Sequence, residues 1–335
     1  MMRGKKKRRI AAVLVTVLLV LCLAGCGKKS EDPKKDLPTS DGFTNDVVMR
    51  VGGVEVSYAE ANIYLLSMRE EVETLYGPEI WDLKFTSDGK TYAELMKEQL
   101  LQKITYIKLV CHMAEEYDVR LGADENLNVT EYTQQYLSNI TEETAKKYGI
   151  TEELIRSIYN DNVLAEKIYQ TITLNADTTY SESEVLRAHF YYIYLSRFYE
   201  DSEGNKSPFT AEDMRTLWNK AEGIRTDALA ASDFYKYAQN VSESGTIECT
   251  VGRADLPAKS RAAAFALKTG QISEVVEEED GLYIYYCESE KDEAATREAT
   301  EAKIDELARA YFNALYEKWI NNVKIEVNEA LWNAM

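Results

Sequence analysis

The feature that most constrains this 335-residue chain is a change of hydrophobic pattern partway along it. Apolar residues recur at helical spacing from residue 57 to about residue 172, which predicts about four amphipathic helices. Residues 187–195 are instead dense in aromatic and β-branched side chains, which favour a strand. Helical spacing returns over residues 293–320 and predicts one long amphipathic helix. The pattern therefore predicts an α+β chain in which a unit containing a sheet interrupts a helical region.

Local signals place the boundaries of these regions. The glycine pair at residues 52–53 lies between two short β-branched segments and predicts a hairpin. Ser57 and Glu60 then match the capping box that begins a helix. In the interrupting unit, the patterns predict helices and strands at residues 210–231, 233–238, 247–251, 259–267 and 281–287. The predicted divisions of the chain are residues 1–25, 26–46, 47–180, 181–290 and 291–335.

The N-terminus has the pattern of a secretory signal. Six basic residues precede an apolar run over residues 10–23, and the sequence Leu-Ala-Gly-Cys ends at Cys26. The run is short for a membrane span, which needs about 20 residues, although an uncleaved anchor helix is the alternative. The ending resembles the bacterial lipobox, which implies cleavage before Cys26 and lipid on its thiol. Residues 26–46 are polar and predict a flexible tether, so we expect a lipid-anchored protein on the extracytoplasmic face of the cell membrane.

Charge excludes one class of partner. The chain carries a formal net charge of −18, and removal of the six basic residues before Cys26 takes it to −24. Phosphate contacts need a basic surface, so we expect no nucleic acid partner.

Cysteine and histidine usage makes cofactor chemistry improbable. Cleavage removes Cys22 and lipid occupies Cys26, which leaves Cys111, Cys249 and Cys287. At most one disulfide forms, between Cys249 and Cys287 if two strands bring them together. The alternative is that all three are small buried hydrophobic residues. The two histidines, His112 and His189, are far apart and no cysteine pair has zinc-ligand spacing. Nucleophile-elbow, P-loop and dinucleotide-binding motifs are absent from the sequence, which predicts no metal and no cofactor.

Three segments of the sequence resemble a known family, the PrsA/SurA-type extracytoplasmic foldases. Residues 51–60 resemble the family's opening strand-turn-strand-helix. Residues 264–273, followed by residues 275–276 and 281–284, resemble the most specific segment of a parvulin-type peptidyl-prolyl isomerase domain. Asp233-Phe234 with Ala238 and Ser242 resembles another. The resemblance implies a helical SurA-N-like chaperone lobe, an inserted parvulin-like domain of FKBP-like α+β fold, and a C-terminal helix that returns to the lobe.

The resemblance also implies site residues. His189 is expected as the first catalytic histidine, and Tyr283 stands where the family has its second. Leu256, Phe265 and Leu267 are expected to bind the substrate. Ser260 stands where an aromatic residue is expected, and the family's Gly-Gly pair is weakened after Ser244.

The function implied is that of a foldase for unfolded or newly exported polypeptides, with parvulin-type isomerase activity. One alternative is a binding-only chaperone whose parvulin-like domain is inactive. A homodimer formed through the helical lobe is compatible with the resemblance. A solute-binding lipoprotein is a further alternative, but such proteins usually contain repeated β-α-β units, and this sequence has long uninterrupted helices instead.

Overall fold

The computed structural model describes residues 42–44 and 46–335. The predicted signal peptide, the lipid attachment at Cys26 and most of the predicted tether lie outside the described residues. The chain divides into two compact units. The first contains the described residues up to Ala176 together with Ala310–Met335, and the second contains Asp177–Arg309.

The described residues form helices and strands in the proportions of a mixed fold, as predicted. The helices are α1 Tyr58–Tyr76, α2 Tyr92–His112, α3 Ala123–Asn139, α4 Glu142–Tyr148, α5 Glu152–Thr173, α6 Glu182–Val185, α7 Ala211–Ala230, α8 Phe234–Val241, α9 Ala258–Ala264, α10 Glu293–Asn322 and α11 Glu329–Asn333. The strands are β1 Val47–Val51, β2 Val54–Ser57, β3 Ala188–Ser196, β4 Phe198–Glu200, β5 Lys206–Pro208, β6 Glu248–Val251, β7 Val276–Glu277, β8 Gly281–Ser289 and β9 Ile325–Val327. Among these described segments, no helix is both long and apolar enough to cross a membrane.

The first unit joins a small sheet to a helical core. Its strands lie in the order β2-β1-β9 and are antiparallel, so the segment near the C-terminus pairs with the first strand. Gly52 and Gly53 form the predicted hairpin with φ values of 59° and 86°, a backbone region that favours glycine. In the helical core, Phe312 of α10 packs with buried side chains of α2 and α5, among them Val110 and Ile168.

Glu60 does not complete the predicted capping box. The Ser57 hydroxyl accepts the predicted hydrogen bond from the Glu60 backbone at 3.1 Å. The Glu60 side chain instead points inward and lies 2.7 Å from Lys108 Nζ, which also contacts Asp161 at 2.6 Å. Glu60 and Lys108 are both buried, so burial raises the pKa of the Glu60 carboxyl despite the nearby lysine.

The second unit is built on a four-stranded antiparallel sheet in the order β6-β3-β8-β7. Successive side chains of a strand point to opposite faces, so each face of this sheet has its own hydrophobic cluster. Ile193, Leu195 and Ile284 pack against α7 and α8 on one face. Phe190 and Tyr285 pack against α9 on the other. The short hairpin β4–β5 follows β3, in a segment that the sequence predicts only as a polar loop.

Candidate functional site

A pocket lies on the α9 face of this sheet and has a volume of about 670 Å³. Its walls come from three places in the fold: the strands β6, β3 and β8, the start of α9 with the segment that leads into it, and the loop before β8. The residues that line it are Tyr192, Cys249, Val251, Leu256, Pro257, Ala258, Ser260, Glu278, Glu279, Asp280, Tyr283 and Tyr285. The lining is thus mostly aromatic and aliphatic, with three consecutive acidic residues along one side.

Neighbouring strands bring the tyrosines of the pocket together. The Tyr283 and Tyr285 rings are stacked with centroids 5.8 Å apart, and the Tyr192 ring lies 6.1 Å from that of Tyr283. Tyr194 packs against Tyr283 from outside the lining, at 5.1 Å. Aromatic rings at these separations attract one another beyond their apolar burial. The tyrosines therefore form one continuous aromatic wall, to which we refer as the tyrosine wall (Tyr192, Tyr283 and Tyr285).

The pKa of the Tyr283 phenol is raised above its ordinary value. Burial is the largest cause that raises the pKa of its phenol, and a hydrogen bond to Asp280 raises it further. The Tyr283 hydroxyl donates that bond to Asp280 Oδ2 at 2.7 Å. Burial also raises the pKa of Tyr285, to about 12. Burial thus favours the neutral form of both phenols, and the single proton of Tyr283 is already donated within the protein.

Gly281 permits the turn that aims the acidic loop at the pocket. A Cβ atom at this position would lie 2.3 Å from the Leu195 carbonyl oxygen and 2.5 Å from Tyr194 Cε2. Any side chain at this position would collide with β3, so only glycine allows the two strands to approach this closely. The Tyr194 hydroxyl then donates to the Asp280 carbonyl oxygen at 2.9 Å and fixes the loop from the other side.

The acidic loop also holds the start of α9. Glu278 Oε1 accepts a hydrogen bond from the Ser260 backbone N–H at 2.8 Å, which satisfies one of the free donors of the first helical turn. Lys259 Nζ donates to the Glu277 carbonyl oxygen at 3.1 Å. These hydrogen bonds join the acidic loop directly to the start of α9.

His189 lies on the other face of the sheet, so the expectation that it lines a site with Tyr283 needs correction. Its Nδ1 shares a hydrogen bond of 2.8 Å with Thr250 Oγ1, and its ring packs against Tyr191 at 5.2 Å. The physical reason is strand alternation: Tyr194 pairs with Tyr283, so even-numbered residues of β3 share the pocket face. Tyr192 is the β3 side chain that reaches the pocket, and the sequence reasoning missed it.

The other expected site residues divide into two groups. Leu256 and Tyr283 line the pocket, as does Ser260. Phe265 and Leu267 do not line it; they pack in the hydrophobic cluster beneath, where the Phe265 ring lies 5.3 Å from that of Phe190. Their part in the site is therefore to support its floor.

Cys249 and Cys287 do not pair. All three cysteines within the described residues are free. Cys249 and Cys287 each pair across the sheet with Phe190, from strands on its two sides, so β3 separates them. Burial raises the pKa of the Cys249 thiol to about 11, which makes it a neutral part of the pocket lining. Within the described residues, no group of three His, Cys, Asp or Glu side chains is placed to hold a metal ion.

The second unit is thus an α+β domain with an antiparallel sheet and an aromatic-lined pocket on one face of that sheet. The comparisons agree with this class. Residues 203–289 match the Rotamase family, described as a PPIC-type PPIase domain.

Two foldases resemble the chain along most of its length. It is 22% identical over 284 residues to the foldase protein PrsA of Caldanaerobacter subterraneus subsp. tengcongensis, which covers 84% of this chain and 83% of the relative. It is also 22% identical over 311 residues to the foldase protein PrsA of Clostridium botulinum (strain Langeland), which covers 86% of each. These similarities confirm the predicted resemblance to PrsA-type foldases with a parvulin-type domain and support a foldase or chaperone.

Solved structures of similar proteins are more distant. PrsA of Streptococcus pneumoniae is 17% identical, with a TM-score of 0.32, covering 75% of this chain and 97% of that one. A structure from Campylobacter jejuni, reported for PEB4 and the periplasmic protein Cj1289 as SurA-like chaperones, is 11% identical. It has a TM-score of 0.31 and covers 84% of this chain and 98% of that one.

Proposed function

We propose that this chain is an extracytoplasmic foldase that binds proline-containing segments of unfolded client polypeptides in the pocket of its second unit. The observation that carries the proposal is that the tyrosine wall and Leu256 line the same pocket. Proline-rich segments dock in aromatic-lined grooves of other binding domains, because the ring is apolar and loses little freedom on binding. Burial raises the pKa values of Tyr283 and Tyr285, so these two rings favour the neutral form, which suits contact with an apolar ring.

Isomerisation of the bound proline bond is the second candidate. Rotation about a peptide bond has a barrier of about 18–20 kcal/mol, and X-Pro bonds take tens to hundreds of seconds to isomerise. The match to a PPIC-type PPIase domain favours this candidate. Against it, neither histidine of the chain lines the pocket, and the Tyr283 proton is already committed to Asp280. Binding therefore stands first and catalysis second.

One experiment separates these candidates. Exchange NMR on a short X-Pro peptide reports both its affinity and its isomerisation rate in the presence of the chain from Gly27 onward. We expect Leu256→Arg, which fills the pocket, to weaken binding strongly, whereas His189→Ala on the opposite face changes nothing. Unchanged affinity in a folded Leu256→Arg variant would exclude the pocket as the binding site. A faster exchange that Leu256→Arg abolishes would establish the isomerase.

An exposed apolar surface on the first unit supports a second contact with clients. Leu75, Tyr76, Leu83 and Phe85 are 54–69% exposed at the end of α1 and in the loop that follows it. The Phe85 ring packs on Tyr92 at 5.1 Å, so its position is fixed by a neighbouring ring although it faces solvent. Exposed apolar clusters mark interaction sites. The net charge of −18 opposes a second copy of the chain as the occupant, so we propose an unfolded client segment.

Aggregation assays test this surface. We expect Leu83→Ser with Phe85→Ser to reduce the suppression of client aggregation, while Leu127→Ser with Leu174→Ser, which are more exposed and lie elsewhere on the same unit, does not. If the first pair instead converts a dimer to a monomer in sedimentation and leaves suppression intact, the surface is a homodimer interface.

We also propose that lipid on Cys26 anchors the protein to the extracytoplasmic face of the cell membrane. Support comes from the signal-like residues before Cys26 and the polar residues after it. Labelling with a radioactive fatty acid tests the proposal, since the wild-type chain should take up label and Cys26→Ala should not. Label retained by Cys26→Ala would contradict it.

A further inference from the structure

The pocket has an acidic side that its lining does not neutralise. Glu278, Glu279 and Asp280 follow one another along one wall, and among the lining residues none is basic. A pocket that only held a proline ring would need no charge at its edge, because the ring is apolar. The three carboxylates therefore suggest that the site also recognises what lies beside the proline.

Two of these carboxylates are held in place. Asp280 Oδ2 accepts the Tyr283 hydroxyl at 2.7 Å, and Glu278 Oε1 accepts the Ser260 N–H at 2.8 Å. Each of these two hydrogen bonds uses one oxygen of the carboxylate. Glu279 lies between them and is exposed. The acidic side of the pocket thus places negative charge next to the tyrosine wall.

Two cations contact the segment that carries these carboxylates. Arg197 Nη1 lies 3.6 Å from Glu277 Oε1 and donates to the Glu278 carbonyl oxygen at 3.5 Å, and Lys259 Nζ donates to the Glu277 carbonyl oxygen. Among the described residues, neither of these contacts reaches the side-chain carboxylates of Glu278, Glu279 or Asp280. A cleft lined by one sign of charge beside low-dielectric walls concentrates ligands of the opposite sign.

We infer that the pocket selects proline segments that carry lysine or arginine next to the proline. This inference rests on the proposed function, since it requires that proline peptides occupy the pocket. The apolar stem of a lysine or arginine packs along aromatic surface while its charged end reaches a carboxylate, which suits the tyrosine wall with its acidic edge. Acidic neighbours of the proline meet like charge and are disfavoured.

Matched peptides test the inference by fluorescence anisotropy on the full chain from Gly27. The set keeps one sequence and places Lys, Gln or Glu beside the proline, and a fourth peptide replaces the proline of the Lys peptide by alanine. We expect the Lys peptide to bind about tenfold more tightly than the Glu peptide at low salt, with the difference shrinking as salt screens exposed charges. Glu279→Lys takes the charge of these three positions from −3 to −1 and should therefore reduce the preference for the Lys peptide over the Glu peptide.

A matched control separates the pocket from the overall charge. Glu298→Lys makes the same change of charge at an exposed position of α10 and should leave the preference unchanged. Equal binding of Lys, Gln and Glu peptides, or an equal effect of Glu298→Lys, overturns the inference while the pocket remains a proline site. If the alanine peptide binds as well as its proline counterpart, the proposed function itself fails, and this inference fails with it.

Discussion

His189 and Tyr283 project from opposite faces of the same sheet, although the resemblance to parvulins implies that they share a site. Tyr194 pairs directly with Tyr283 across β3 and β8, so the β3 side chains on the pocket face are the even-numbered ones. Tyr192 is therefore the neighbour of Tyr283 in the pocket, at a ring separation of 6.1 Å. Tyr192, Tyr283 and Tyr285 form the wall, and the histidine packs against Tyr191 on the far side.

This arrangement predicts unequal effects of truncating the two residues. Tyr283→Ala removes a ring from the wall and should weaken binding of a proline peptide about tenfold, since aromatic contacts contribute about 0.5–1.5 kcal/mol beyond their burial. His189→Ala should leave the affinity within about twofold. Titration calorimetry measures both, with thermal unfolding to confirm that each variant is folded. A larger loss from His189→Ala than from Tyr283→Ala would contradict the assignment of faces.

Much of the fold could be predicted because it is encoded locally. The helix from Thr210 begins where a capping residue precedes helical periodicity, and the Thr210 hydroxyl accepts the N–H of Asp213 as a cap should. The long helix over residues 293–320 and the strand over 187–195 were likewise found within two residues of their ends. In each case the signal lies within one turn or one strand of sequence.

The site was harder to predict because it depends on register and on distant contacts. Which face His189 takes is decided by the pairing of β3 with β6 and β8, and a shift of one residue would reverse it. Glu60 fits a capping box by spacing, yet its partner Lys108 lies far along the chain. One sequence signal could have identified Tyr192. The alternation of side chains along β3 and β8 places the even-numbered residues of β3 on the same face as Tyr283 and Tyr285.

The close approach at Gly281 predicts a strong effect on stability. Gly281→Ala would place a methyl group against the Leu195 carbonyl and should lower the free energy of unfolding by about 2–4 kcal/mol. Gly223→Ala is the matched control, because this glycine lies inside α7 with open space around it. It should raise stability by up to about 1 kcal/mol. Urea unfolding of both variants checks the prediction, and effects of the same sign would refute it.

The buried ion cluster of the first unit predicts a second stability effect. Lys108→Met leaves Glu60 and Asp161 without their shared cation and should cost about 3–5 kcal/mol of unfolding free energy. Lys146→Met, which breaks a fully exposed pair with Glu142, should have no measurable effect. A small loss from Lys108→Met in urea unfolding would show that water or a rearranged side chain compensates the two carboxylates.

Glu60 also predicts how stability varies with pH. Its pKa is raised in the folded state above the ordinary value of 4.5, so the folded chain holds the proton more tightly than the unfolded chain. The resulting stability is present below pH 4.5 and is lost as pH rises through the folded pKa. Relative to Glu60→Gln, the wild type should therefore become less stable between pH 4.5 and neutrality. Unfolding free energies of both chains across this range measure the difference, and a difference independent of pH would contradict the raised pKa.

Cys249 predicts a chemical readout of the pocket. Burial raises the pKa of its thiol to about 11, so alkylation by iodoacetamide should be slow at neutral pH and should accelerate toward pH 11, because the thiolate is the reactive form.

A bound proline peptide covers the pocket that Cys249 lines and should slow this reaction further. Cys111, whose pKa burial raises to about 12, lies in the other unit and provides the internal control. Mass spectrometry resolves the two sites in one sample. Protection of Cys249 without protection of Cys111 places the peptide in the pocket, whereas equal rates with and without peptide would place it elsewhere.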